Sequence, residues 1–213
     1  MLEPKPKVTS MDTPDHPTER RSGHMPGQND PILQSLEKYW QTLRQAQQLP
    51  ARTDIAPSKI DHALPHAFIL QRVAPGTARF RVAGQRLHEL LKMDARGMPL
   101  GTLFLPQARE QAQKLLETAF TEPAIIAIPL TSPASLLRPA LTGTMLLLPL
   151  RDRSDAATRM LGALVTDHDG GGRPRRFMIP QGARIRHEPI GTGPAAAGLI
   201  PRPHAQRPDA MRP

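Results

Sequence analysis

The chain has 213 residues and a net charge of +9, with 25 prolines, only 3% aromatic residues and no cysteine. That length suits one domain with tails, and the missing thiols exclude disulfides, thiolate catalysis and cysteine-based metal sites. The charge is uneven: from Gly170 to Pro213 eight arginines stand against Glu188 and Asp209, whereas residues 1–30 carry four basic and five acidic groups.

Proline crowds both ends, six in residues 1–31 and eight in residues 170–213. Such apolar-poor ends bury too little surface to offset the entropy of ordering them. Residues 1–30 are therefore read as a disordered N-terminal tail, and 170–213 as a mostly disordered Arg/Pro-rich tail. The opening MLEPKPKVTSMDTPDH lacks the apolar run of a secretory signal. No window approaches the ~18 apolar residues of a membrane span. The expectation is a cytoplasmic protein.

Asp30-Pro31 has the form of a helix start, with Asp as N-cap and Pro at the first helical position. Ile32, Leu33, Leu36, Tyr39, Trp40 and Leu43 follow at spacings of three and four, an amphipathic helix stopped before Pro50. Its apolar stripe has to cover either the domain's own sheet or a second copy of itself. Residues 51–66 form a connector. Phe68 to Val73 reads as a strand, Pro75-Gly76 as a turn, and Phe80, Val82 and Gly84 alternate with Arg79, Arg81 and Ala83 as a second strand. Leu87, Leu90 and Leu91 then recur at helical intervals.

Residues 97–106 are irregular, and Pro106 to Phe120 carries a helical apolar face. Three strands follow: Ala124 to Thr131, with Pro129 marking an edge or a strand end; Leu141 to Leu150, apolar and central; and Thr158 to Asp167. Gly170-Gly171-Gly172 marks the domain end, and Arg175 to Ile185 is a candidate to dock back. No internal repeat is visible. Sequential strands on short loops predict an antiparallel sheet, and helices grouped between the second and third strands predict an α+β fold. The domain is placed at residues 31–169.

The order of elements resembles a PAS domain, most closely a branch of small bacterial single-domain PAS proteins. The resemblance rests on Tyr39-Trp40 with Leu43-Arg44, the connector Leu49 to Pro57, and Leu64, Pro65, His66, Phe68 and Leu70. It continues in Phe80, Arg81, Ala83, Gly84, Leu87 and Leu90, then in Gly97, Pro99, Leu100, Leu103, Phe104, Pro106, Ala108 and Arg109. It spans about residues 33–168. The resemblance implies a five-stranded antiparallel sheet with helices on one face, here preceded by the amphipathic helix. It implies sensing or protein–protein interaction, often through dimers. It carries over no ligand, because PAS domains bind haem, flavin, small acids or nothing. The flavin photochemistry of some needs a cysteine that this chain lacks.

The residues with chemical potential are few. His62 and His66 sit four apart, but Pro65 between them breaks the helix that would present both rings to a metal. His66, in the place of an axial haem ligand of some PAS domains, is read as a histidine at the start of a strand that bonds the backbone. Asp167-His168-Asp169 holds acid and base in a row, yet neighbours on an extended strand point to opposite faces. Asp152 and Asp155 lack a calcium-loop pattern. Neither G-x-x-x-x-G-K, G-x-G-x-x-G nor G-x-S-x-G occurs. Arg79 and Arg81 share one strand face and are read as solvated. Arg173, Arg175 and Arg176 beside Phe177 form a basic patch with one aromatic, too few for single-strand stacking.

These readings give no catalytic or metal residues, an unassigned cofactor and no enzyme. The expected function is a PAS-type sensory or regulatory module acting through protein–protein interaction, open to tuning by a small ligand. Its candidate partner surface is the stripe around Trp40, for a regulatory protein or a homodimer. The alternative is an accessory nucleic-acid or anion binder working through the basic tail.

Overall fold

Asp30 caps the first helix as its chemistry requires: its Oδ1 accepts the Ile32 N–H at 2.8 Å, with Pro31 at the first helical position. The computed structural model describes residues 30–44, 48–153 and 156–191. In chain order it contains α1 (Pro31–Leu43), β1 (Ala67–Ala74), β2 (Thr77–Ala83), α2 (Gln85–Leu91) and α3 (Arg109–Thr121). β3 (Ala124–Ser132), β4 (Leu141–Arg151), β5 (Ala157–Thr166) and β6 (Arg186–Pro189) follow. The strands make one sheet in the order β2-β1-β5-β4-β3-β6, every pair antiparallel. The fold is α+β, as expected, but with six strands rather than five.

The long strands are apolar on both faces, so the sheet needs two covers. On one face Phe68, Leu70, Ile126, Ile128, Met145 and Leu147 pack under α2, α3 and the turn Leu100–Leu103. Their alternates Ile69, Ile125, Ala127, Leu146, Leu148 and Leu161 face the other way, against Leu33, Leu36 and Trp40 of α1. The helices are therefore not all on one face: α1 lies opposite the others. It seals the second face, and the Trp40 stripe proposed as a partner surface is already buried in its own domain.

Trp40 is fully buried, and its indole N–H donates to the Pro149 carbonyl at 3.1 Å. The Arg151 N–H donates to Pro50, away from β5. By strand parity the Pro149 carbonyl points to that side too, beyond the last paired residue of β3. A buried carbonyl without a partner costs ~1–3 kcal/mol, and the indole removes that cost.

Two local departures from simple alternation have clear causes. Ile69 pairs with Val82 and Leu70 with Phe80, so Arg81 is the extra residue of a β-bulge. The bulge takes Val82 off the Phe80 face and leaves it 46% exposed. Pro129 is tolerated inside β3 because β6 pairs only with Ala124 to Ala127. The proline nitrogen points to the side where β6 has ended.

Phe68 stacks edge-on against Phe80, ring centres 5.4 Å apart, and covers Gly162 of β5. A Cβ at Gly162 would stand 2.2 Å from the Phe68 ring. Only glycine leaves that space.

Described residues beyond the expected boundary at residue 169 pack onto the domain. Arg175 is buried, its Nε donating to the Gly170 carbonyl at 2.6 Å and its Nη1 to Pro139 at 2.9 Å. Phe177 is fully buried and lies beside Phe104, exchanging backbone bonds with Leu103 and Leu105. β6 then adds to the edge of β3, and Arg186 forks onto Glu37 of α1 at 2.7 and 2.8 Å. Residues 170–191 thus belong to the domain. Of the tails read as disordered, residues 1–29 and 192–213 lie outside the described residues, as does Asp155.

Replacing Trp40 or Phe177 by alanine is expected to cost about 3–5 kcal/mol each in urea unfolding. A dispensable segment after residue 169 predicts no loss for Phe177→Ala. Gly162→Ala is expected to lower stability by about 1–3 kcal/mol through overpacking against Phe68.

Candidate functional site

The residues singled out for chemistry are mostly structural. The His62 Nε2 meets the Ser35 hydroxyl on α1 at 2.5 Å, whereas the His66 Nδ1 meets the Leu164 carbonyl of β5 at 3.2 Å. The two imidazoles serve different elements and do not converge on a metal. Arg79 donates to the Gly97 carbonyl at 2.8 Å and Arg81 to the Gln71 amide oxygen at 2.7 Å, both on the exposed side of β2. The Asp152 carboxylate accepts from the Thr158 hydroxyl at 2.9 Å.

Asp167 and His168 do not diverge as an extended strand would require. β5 stops at Thr166, and the bend after it brings the His168 Nε2 to 3.7 Å from the Asp167 Oδ1. Both side chains then fasten the start of β4. Asp167 accepts the Thr142 hydroxyl at 2.8 Å, and the His168 Nε2 lies 3.1 Å from the Ala140 carbonyl. With His66, Arg86 and Glu89 they line a polar groove of about 660 Å³. Its charge is matched internally, because Arg86 reaches Glu89 at 3.1 Å and Asp169 at 2.6 Å. Such exposed pairs contribute little to stability.

The basic cluster at 173–176 is dismantled by folding. Arg175 is turned inward onto backbone carbonyls and Phe177 is in the core, so neither can meet a nucleic acid. Burial pushes the Arg175 guanidinium below its ordinary value, and Arg138 nearby adds to the shift. Arg186 is raised, chiefly by its bonds to Glu37. Among the described residues no group of three or more histidine, aspartate or glutamate side chains is placed to hold a metal ion. No described helix is long and apolar enough to cross a membrane.

The feature that sequence reasoning passed over lies between β3 and β4. Ser135 and Arg138 exchange backbone hydrogen bonds of 3.0 and 3.1 Å, which puts Leu136 and Leu137 at the two corners of a tight turn. Leu136 is fully exposed and Leu137 is 79% exposed. Turn corners favour glycine, asparagine or aspartate for backbone reasons that leucine does not supply. The tip is braced from below, because Arg138 Nη1 donates to the Pro174 carbonyl at 2.8 Å. Arg173 stands beside it and lines the same shallow depression. The signal in the sequence was Leu-Leu placed between Pro133 and Pro139, in a connection between two strands.

No curated protein matches the chain. Residues 29–165 match the model of the PAS domain family, from just before α1 to the last residue but one of β5, and the chain belongs to that family of sensory and regulatory modules.

Proposed function

We propose that this chain is a cytoplasmic PAS regulatory module that acts by docking a partner protein through the Leu136–Leu137 tip. The observation that supports the reading is a contrast in burial. The central apolar side chains of both sheet faces are covered and Val73 and Val82 on the β1–β2 edge are half-exposed, yet two adjacent leucines stand almost wholly in solvent on a braced turn. An exposed pair of large apolar residues flanked by Arg138 and Arg173 suits an apolar pocket with an acidic rim. Joining two chains through the α1 stripe is less well supported, because Leu33, Leu36 and Trp40 already cover the sheet.

A photo-crosslinking residue at position 137 tests the surface. It is expected to trap one protein in cells, and the trapped yield falls when Leu136 is replaced by aspartate. The double variant Leu136→Asp, Leu137→Asp is expected to fold within about 0.5 kcal/mol of wild type and to bind that protein at least about tenfold more weakly. Wild-type affinity in the double variant contradicts the proposal. Leu36→Asp serves as the contrast: it is expected to unfold the domain rather than to split a dimer in light scattering.

A further inference from the structure

A further pocket lies between the start of β2, the turn Leu100–Leu103 and α3, beside Arg176, with a volume of about 280 Å³. Its polar lining consists of Arg109, Arg176, Thr77, Thr102 and Gln113. Among the described residues no carboxylate lines it. Among the described residues neither arginine has an acidic partner; Arg109 makes only a long contact to the Phe104 carbonyl, and Arg176 bonds the Arg175 carbonyl. Glu117, one turn along α3 from Gln113, is engaged by Arg72 and by the Gly76 N–H. The floor is apolar, made by Ala78, Leu100 and Leu116.

We propose that Arg109 and Arg176 form a binding site for a small oxyanion, a carboxylate or phosphate group on a short apolar body. Guanidinium groups match such oxyanions with paired hydrogen bonds. Two of them facing one pocket without a counter-charge repel each other, and an anion between them removes that repulsion. The repulsion is already felt at Arg176, where burial and the Arg109 charge both lower the ordinary value. Size limits the ligand. The pocket lies just below the ~300–1,000 Å³ of usual ligand sites, which leaves room for a few carbons and excludes nucleotides or haem. The side chains of Thr77, Thr102 and Gln113 have no hydrogen bond to other described residues and can complete the ligand's polar shell. This site supplies a small-ligand input to a regulatory module, and it is independent of the Leu136–Leu137 surface.

Calorimetric titration of the purified full chain tests it, with inorganic phosphate and with butanoate as probes at fixed chloride. Saturable binding of either is expected, and which of the two binds more tightly identifies the headgroup. Arg109→Gln is expected to weaken it at least about tenfold, and Arg109→Lys to restore part of the loss. Arg109 is exposed, so Arg109→Gln is expected to melt no lower than wild type in the absence of anion. The proposal is overturned by the absence of saturable heat with both probes. It is equally overturned if Arg109→Gln and Arg176→Gln bind as wild type, or if butylammonium binds as well as butanoate. Partner trapping at position 137 is measured separately, so either reading can fail alone.

Discussion

A sheet that is apolar on both sides has to be covered twice, and the rest of this structure follows from that requirement. α2 and α3 cover one face, and Ile125, Leu146, Leu148 and Leu161 on the other are covered by α1 together with Leu49, Ile55 and Ile60 of the connector. At ~25 cal/mol per Å² of apolar surface, exposing that face would exceed the few kcal/mol by which a domain of this size is stable. Trp40 fixes where α1 sits, because its indole must reach the Pro149 carbonyl. Arg186 and Glu37 then fasten the same helix to the edge strand β6.

The segment after β5 has a second structural task. Arg175, Phe177 and Ile179 lie in or against the core, and the backbone between them bonds α2, the 97–106 region and β3. One stretch of chain therefore touches the Leu136–Leu137 turn through Pro174 and the paired-arginine pocket through Arg176. The exposed leucine turn and the paired-arginine pocket are thus tied to residues only two apart on one strap.

Much of this architecture was legible in the sequence because periodicity and punctuation report burial directly. Asp30-Pro31 marked the start of α1, Pro75-Gly76 the first hairpin, and the apolar runs after Ala124, Leu141 and Thr158 gave β3, β4 and β5 to within a residue or two. β6 was missed because Arg186-His187-Glu188-Pro189 has no apolar side chain; it is held by edge hydrogen bonds to β3 and by the Glu37 ion pair. Simple alternation puts Val82 in phase with Phe80, but a bulge at Arg81 shifts that phase without changing the residue types. The candidate sites were hidden for another reason. Arg109 and Arg176 meet only through tertiary folding, and an exposed leucine looks the same in a sequence as a buried one.

α1 closes its own sheet, so the Trp40 stripe is occupied within the chain. Trp40 is the single tryptophan of the chain, which makes its fluorescence a direct report. Acrylamide quenching of the intact protein over a wide range of dilution is the most direct measurement. A shielded indole is expected at every concentration, because Trp40 is fully buried within one chain. An indole that becomes quenchable on dilution, in step with a falling mass in light scattering, would contradict it and make the Trp40 stripe an interface between chains.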